Sequence, residues 1–267
     1  MIRKDIASGQ FYPENQEEIN NFIQKLAPKE NLSRCKAKGV IVPHAGYPFS
    51  GKVAINTLAK IAAPKNIIML GPNHTGLGKD FSLSSAQSWQ TPCGEVKINQ
   101  PLSEKILNAG SHIQKDSLAH KAEHSLEVEL PILQYFFKDF QIVPISCNLA
   151  DKELYQNVAT QINEGLKDGS SQTLILASTD LTHYEPDELA RKKDRQVIEA
   201  IVDLDPEKML NEVAKNNITM CGVAPVAIML YCLRAKLKKA EVVLYQTSGD
   251  TTKDYASVVG YVGVILR

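Results

Sequence analysis

The hydrophobic pattern of the chain changes repeatedly between short apolar runs and longer stretches with helical spacing. Short apolar runs bounded by turn residues predict strands, whereas apolar residues three or four positions apart predict helices. The predicted strands cover residues 40–42, 66–70, 141–147, 173–177, 241–246 and 256–266. The predicted helices cover residues 15–27, 50–61, 102–109, 123–137, 152–166, 187–203, 206–215 and 223–234. This alternation favours an α/β fold, with a central mixed, largely parallel β-sheet flanked by helices on both faces.

Several segments depart from this simple alternation. Residues 1–14 are predicted to form an extended arm, and residues 81–101 a small antiparallel excursion around Trp89. Ser50 is expected to cap the helix that follows it, and Pro131 weakens the continuity of predicted helix 123–137. Because the sequence shows no internal repeat and no low-complexity linker, residues 1–267 are predicted to form a single domain.

Composition excludes several classes of protein. The 267 residues are 43% hydrophobic and 22% charged, which is typical of a globular chain with a sizeable core. Basic and acidic residues number 30 each, so charge gives no argument for a nucleic acid or an acidic membrane surface as partner. No apolar stretch approaches the roughly 20 residues that span a bilayer. The five cysteines include no C-x-x-C pair and the N-terminus has no secretory signal, so we expect a cytoplasmic protein without disulfides.

Three predicted strands end in turns that carry histidine. The turns read V-I-V-P-H-A-G around His44, G-P-N-H-T-G around His74 and S-T-D-L-T-H-Y around His183. A turn tolerates polar residues, so one such histidine alone is weak evidence. The carboxyl ends of parallel strands share one edge of a sheet, however, so the three imidazoles are expected to converge. Two histidines and one anionic ligand, with open positions left over, suit a nonheme Fe(II) site.

Other residues extend this candidate site, and their roles stay open at this point. Asp180 could orient His183, bind a metal or cap the turn, and His183 could be a metal ligand, a general base or an ordinary turn residue. Cys221 directly precedes an apolar helix, whose dipole would favour a thiolate. It could be a metal ligand, a nucleophile or a small buried residue.

The segment that begins at Glu123 contributes further candidates. Glu123 and His124 open a predicted helix and are expected to face the same cleft, with Tyr47 as a pocket wall. Glu127 and Glu129 are expected to be solvated or capping charges. No G-x-x-x-x-G-K-[ST], G-x-G-x-x-G or G-x-S-x-G motif occurs, so nucleotide-phosphate loops and the α/β-hydrolase elbow are unsupported.

Taken together, these motifs resemble one family along nearly the whole chain. They are R-K-D-I-A-S-G-Q-F-Y-P, P-H-A-G-Y-x-x-S-G, L-G-P-N-H, E-H-S-L-E-V-E-L-P, S-T-D-L-T-H-Y and M-C-G before a helix. The chain is identified as a member of the Memo family, whose prokaryotic members are called AmmeMemoRadiSam system protein B. That family is similar in fold to the class III extradiol dioxygenases, which have a central β-sheet flanked by helices.

The resemblance implies roles for particular residues. His44 and His74 match two histidine metal ligands, Cys221 stands where the dioxygenases have a glutamate ligand, and His183 matches their catalytic histidine, with Asp180 beside it. The implied metal is iron or copper, and a thiolate favours the softer copper. The peptide binding linked to the animal protein does not carry over, whereas an association with a radical SAM protein suggests a shared pathway.

Three functions follow from these observations. The first is a metal-binding redox protein or oxygenase that acts on an unknown small molecule. The second is a non-enzymatic binding or scaffold protein whose vestigial cleft holds a peptide or protein partner. A cysteine hydrolase that uses Cys221 and a histidine is the weakest of the three.

Overall fold

The structure is a computed structural model that describes residues 1–29, 33–167, 173–237 and 239–267. The strands are β1 (Ile2–Arg3), β2 (Gly39–Val42), β3 (Asn66–Pro72), β4 (Phe81–Ser84), β5 (Ser88–Thr91), β6 (Gly94–Lys97), β7 (Ile113–Asp116), β8 (Gln141–Cys147), β9 (Thr173–Ser178), β10 (His183–Glu185), β11 (Ala240–Thr247) and β12 (Val258–Leu266). The helices are α1 (Gln16–Leu26), α2 (Tyr47–Leu58), α3 (Gln100–Asn108), α4 (Leu130–Phe136), α5 (Lys152–Gly165), α6 (Asp187–Val202), α7 (Pro206–Lys215), α8 (Val223–Leu233) and α9 (Ser248–Thr252).

A large mixed sheet forms the centre of the molecule. Its strand order is β10-β12-β2-β9-β3-β8-β4-β7, and β11 also pairs with β12. The central strands β2, β9, β3 and β8 run parallel to one another. On one side β12 is antiparallel to β2, and on the other β4 is antiparallel to β8. The carboxyl ends of β2, β9 and β3 therefore lie side by side at one edge of the sheet.

Both faces of this sheet are covered by helices, as the apolar pattern predicts. Alternate residues of a strand point to opposite faces. Ile41 and Ile68 pack with α3, α5, α6, α7 and α8, whereas Val40 and Ile67 pack with α1, α2 and α4. Burial of each such side chain contributes about 1.5–3 kcal/mol, so the two faces hold the sheet between two apolar layers. In the part of the chain that the structure describes, no helix combines the length and apolar character needed to cross a membrane.

Proline decides where two helices begin, and both predicted starts are wrong. Helix α2 begins at Tyr47 with Pro48 in its first turn, so Ser50 lies inside the helix and donates to the Ala45 carbonyl instead of capping. Helix α4 begins at Leu130 rather than at residue 123, with Pro131 in its first turn. Proline suits the first turn because the N–H that it lacks would have no helical partner there.

The predicted excursion around Trp89 is divided between two sheets. Strand β4 joins the large sheet, whereas β5 and β6 form an antiparallel hairpin that pairs with β1 of the N-terminal arm. The predicted extended arm is thus partly a strand, which is paired in parallel with β5.

Glu127 ties the N-terminal arm to the body of the protein. Its buried carboxylate accepts hydrogen bonds from the Arg3 guanidinium at 2.6 Å, the Tyr12 hydroxyl at 2.7 Å and the Ala7 N–H at 2.8 Å. The expectation of a solvated or capping charge at Glu127 is wrong. These donors, together with the Ile6 N–H at 3.0 Å, replace the lost water, which is why a carboxylate is tolerated in the interior.

We expect Glu127→Gln to lower the free energy of unfolding by about 3–5 kcal/mol, because it leaves the largely buried Arg3 charge without its partner. Glu207→Gln is the matched control, since it breaks the exposed pair with Arg234 and is expected to cost no more than about 1 kcal/mol. Urea unfolding of both variants measures the difference. Equal losses in the two variants would contradict the anchoring role of Glu127.

Candidate metal centre

The ends of two parallel strands bring His44 and His74 together. His44 follows β2 and His74 follows β3, and β9 lies between these strands in the sheet. The two imidazole rings are 5.2 Å apart between centroids. The convergence expected from parallel strand ends is therefore confirmed for these two histidines.

Cys221 reaches the same place from the loop before α8. Its sulfur lies 3.4 Å from Nε2 of His44. His44, His74 and Cys221 each offer a ligand atom, and these three atoms lie within 4.8 Å of one another. Sequence separation between the three residues is large, so only the sheet and the packing of α8 on it produce this cluster.

His44 is held from two directions. Its ring Nδ1 contacts the Ser178 hydroxyl at 2.7 Å, and its backbone N–H donates to Asp180 Oδ1 at 3.0 Å. Burial, together with the neighbouring imidazoles, keeps the pKa of His44 well below its ordinary value of 6.5. The ring is therefore neutral at neutral pH, which is the state that a metal ligand requires.

His74 is oriented by the buried carboxylate of Glu123. Nδ1 of His74 lies 2.9 Å from Glu123 Oε1, and the backbone N–H of His74 donates to the other carboxylate oxygen. Burial by itself would raise the pKa of Glu123, but the hydrogen bonds and charge of His74, with the N–H of Ser125, lower it to about 2. With Nδ1 engaged in this way, Nε2 is the ring nitrogen of His74 left to bind a metal.

The structure gives Cys221 a different protonation state from the thiolate that the sequence favours. The helix dipole led us to expect a stabilised thiolate, but burial and the Asp180 carboxylate raise the pKa of the Cys221 thiol far above its ordinary value of 9.0. The sulfur also accepts the backbone N–H of Asp180 at 3.1 Å, which does not offset the burial. Without a metal, Cys221 is therefore a thiol at neutral pH.

Asp180 and His183 form a second group around the same sulfur. One ligand atom each of Asp180, His183 and Cys221 lies within 4.8 Å of the other two. Nδ1 of His183 lies 2.8 Å from the Thr219 carbonyl, which only accepts, so Nδ1 carries the proton and Nε2 has a free lone pair. Burial raises the pKa of Asp180 to about 6, although His183 and the His44 N–H oppose the shift.

Aromatic rings form one wall of the cluster. His124 stacks on His74 at 4.8 Å between centroids and on Phe11 of the N-terminal arm at 4.2 Å. Tyr47 takes no part in this wall: it is 1% exposed and its hydroxyl donates to the Val128 carbonyl at 3.0 Å. The expectation that Tyr47 forms a pocket wall therefore stays a prediction.

Two residues of the site went unrecognised in the sequence. Ser178 contacts His44, and Glu129 contacts Ser178 at 3.0 Å. Glu129 stands at the N-cap position of α4, but its side chain is fully buried and makes no cap hydrogen bond, so the expectation of a solvated or capping charge is wrong. Two features of the sequence could have indicated these residues. Ser178 begins the motif S-T-D-L-T-H at the end of a strand, and Glu129 belongs to E-H-S-L-E-V-E-L-P, in which acidic and apolar residues alternate.

Comparison with known proteins agrees with this arrangement of motifs. The sequence profile of the Memo-like protein family matches residues 3–265. The chain belongs to the Memo family. It is 41% identical to a MEMO1 family protein of Aquifex aeolicus, over 99% of this chain and 98% of the relative. It is 38% identical to a MEMO1 family protein of Methanopyrus kandleri, over 100% of this chain and 99% of the relative.

A solved structure also shares the fold of this Memo family member. An uncharacterised protein of Escherichia coli K12 superimposes with a TM-score of 0.62, covering 87% of this chain and 100% of that chain. Because the two sequences are only 11% identical, this likeness shows the fold alone.

One pair of donor atoms in this Memo family chain has the spacing found around a small transition-metal ion. Ligand atoms of a tetrahedral ion with bonds of roughly 2.0–2.3 Å lie about 3.3–3.8 Å apart. The 3.4 Å between His44 Nε2 and Cys221 Sγ falls in that range. Nδ1 of each histidine already has a protein partner, on Ser178 and on Glu123, as is usual for metal-binding imidazoles.

We expect Glu123→Gln to lower the pKa of His74 in the metal-free protein. Burial alone lowers this pKa, and the hydrogen bond and charge of Glu123 raise it above the ordinary value of 6.5. The ion pair therefore contributes stability above the ordinary Glu123 pKa of 4.5, and that contribution disappears as the pH rises through the His74 pKa. Titration of ¹⁵N-labelled histidine by NMR measures the shift.

Glu104→Gln is the control for this titration, because Glu104 is an exposed carboxylate that pairs with Lys115. It should leave the His74 titration unchanged. A His74 pKa that is equal in wild type and in Glu123→Gln would show that Glu123 does not govern the charge of this imidazole.

Proposed function

We propose that this protein is a metal-dependent redox protein of the oxygenase type, in which His44, His74 and Cys221 bind iron or copper. The observation that supports it is the cluster of two imidazoles and one sulfur, each with a donor atom free for a metal. The cluster lies where parallel strands end, and open α/β sheets bind their ligands at that edge.

The donor set supports either of two metals. Two histidines and one anionic ligand suit nonheme Fe(II), whereas a thiolate with two imidazoles suits copper. When bound, either ion would supply one-electron chemistry and a site for O₂. Zinc accepts the same ligands but has no redox chemistry, so it would make the site a structural or hydrolytic one.

His183 is proposed as the general base. Its Nδ1–H donates to the Thr219 carbonyl, which fixes the ring and leaves Nε2 able to accept a proton from a substrate hydroxyl. His183 belongs to β10, which pairs with β12, so it is attached to the sheet rather than to a mobile loop.

Asp180 is proposed to support this base. Its carboxyl group lies in the same cluster as His183 and accepts the backbone N–H of His44. Because burial raises its pKa to about 6, Asp180 changes charge close to neutral pH and can share a proton with the His183 imidazole.

The aromatic wall supports a planar hydroxylated substrate, such as a catechol. His124 lies between His74 and Phe11, with its ring stacked on both. A flat ring could extend this stack while its hydroxyl groups approach the metal ligands and His183.

We expect protein purified without oxygen to contain close to one iron or copper ion per chain, and His44→Ala and Cys221→Ser to lose most of it, because each removes a ligand. Elemental analysis by mass spectrometry measures the content. Cys232→Ser is the matched control, since Cys232 is a buried cysteine whose sulfur contacts the Ala159 carbonyl away from the cluster. No metal in wild type after anaerobic reconstitution would refute the proposal.

We expect His183→Asn to keep the metal and to lower substrate-dependent oxygen consumption about 10²–10⁴-fold, the range that a general base contributes. The assay uses a panel of catechols and an oxygen electrode, with His112→Asn, an exposed histidine, as control. Equal rates in wild type and His183→Asn would exclude His183 as the base.

A further inference from the structure

The hydroxyl of Ser178 sits among three buried polar groups. Its Oγ lies 2.7 Å from His44 Nδ1, 2.9 Å from the Ser125 carbonyl oxygen and 3.0 Å from Glu129 Oε1. Ser125, Ser178 and Glu129 are fully buried, and His44 is 2% exposed. The four groups are therefore shielded from bulk water, and they are one another's partners among the described contacts.

Donor counting determines where each proton lies. A serine hydroxyl has one proton to donate and two lone pairs that accept. The Ser125 carbonyl can only accept, and Ser178 is its partner among the described contacts, so the Ser178 proton points to it. Ser178 must then accept from both remaining neighbours, which are Nδ1–H of His44 and an O–H of Glu129.

A second observation agrees that Glu129 carries a proton. Its Oε2 is buried and has no hydrogen-bond partner in the described part of the chain. An ionised carboxylate with one bare oxygen in the interior is costly, whereas the carbonyl oxygen of a neutral acid is much less so. Burial also raises the pKa of Glu129 well above its ordinary value of 4.5.

We propose that Ser178 and a neutral Glu129 act together as positioning residues for the metal centre. Glu129 donates its proton to Ser178, and Ser178 accepts the Nδ1–H of His44. His44 is thereby held in the Nδ1–H tautomer, with its unprotonated Nε2 facing Cys221. The effect on metal affinity rests on the function proposed above. The proton positions do not, because they describe the protein without metal.

The arrangement matters because His44 has only one ring nitrogen to spare. If the proton were on Nε2, that atom could not bind a metal until the tautomer changed. With Nδ1 of His44 unprotonated, both this nitrogen and the Ser125 carbonyl would need the single Ser178 proton. One of these two buried acceptors would then have no donor. Ser178 therefore has a role that a hydroxyl used only for packing would not have.

The first test compares infrared spectra of the metal-free wild type and its variants at about pH 8. At this pH Asp180, which has a pKa of about 6, is ionised and contributes no acid band. A band from a protonated carboxylic acid is expected in wild type and should vanish in Glu129→Gln. Asp194→Asn identifies any contribution from Asp194, a second buried carboxyl whose pKa is raised by burial. A spectrum in which Glu129→Gln removes no such band would overturn the proposal.

The second test determines the tautomer of His44 by ¹⁵N NMR, again without metal. The Nδ1–H form is expected in wild type and in Glu129→Gln, because the glutamine amide can donate to Ser178 as the acid does. Ser178→Ala should show a loss of the pure Nδ1–H form. Ser146→Ala should not, since it removes a buried hydroxyl of β8, which β3 separates from β9, and this hydroxyl has no hydrogen-bond partner in the described part of the chain. An Nε2–H tautomer in wild type would overturn the proposal.

Cobalt(II) then reports on affinity through its visible absorption. Ser178→Ala is expected to bind cobalt(II) ~10–100-fold more weakly than wild type, with Ser146→Ala unchanged. Wild type could bind no cobalt and still show the acid band of Glu129 and the Nδ1–H tautomer of His44. That result would refute the proposed function and leave the proton arrangement intact. If wild type and Ser178→Ala bound cobalt equally, the positioning role would be refuted.

Discussion

The candidate site depends on one constraint: polar groups that are buried where the parallel strands end must find partners within the protein. Strands β2 and β9 end side by side, so the His44 ring meets the Ser178 hydroxyl and the His44 backbone N–H meets the Asp180 carboxylate. These contacts are what a buried imidazole needs, and they leave one ring nitrogen without a protein partner other than a thiol. Nε2 of His44 is thus available to a ligand because Nδ1 and the backbone N–H of the residue already have hydrogen-bond partners in the protein.

The same constraint gives opposite charge states to two glutamates that are six residues apart in sequence. Glu123 receives a ring nitrogen and two backbone N–H groups, and these bonds lower its pKa despite burial. The Glu129 carboxyl contacts the Ser178 hydroxyl but receives no charged or backbone donor among the described residues, so burial dominates and raises its pKa. One segment therefore provides an anion beside His74 and a neutral acid behind His44, which keeps the total negative charge near the cluster low.

The N-terminal arm connects stability to the site. Glu127 binds Arg3 and Tyr12, and the arm between them carries Phe11 onto His124. The aromatic wall consequently depends on a buried ion pair that does not itself touch the candidate ligands. If the arm moved, Phe11 would leave His124 and the cluster would open on that side. The contacts of Glu127 with the arm therefore also maintain the shape of the cleft.

How far the site could be predicted depended on the range of the interactions involved. Local pattern and the known geometry of parallel strands were enough to place His44 and His74 together, because both follow apolar runs directly. The burial of Glu129 could not be predicted in this way, because it arises where the start of α4 meets the end of β9. Helices α2 and α4 each begin where a proline occupies the first turn, and the apolar stripe alone does not mark that position.

The sequence by itself determined the α/β class, the central strands, the family and the residue types that converge at the carboxyl edge. These follow from periodicity and from motifs, which are local properties of the chain. Only the tertiary structure decided which ring nitrogen is free, that Cys221 is a thiol and that Ser178 links His44 to Glu129. Protonation and orientation depend on burial and on partners distant in sequence, and the folded chain alone brings those partners together.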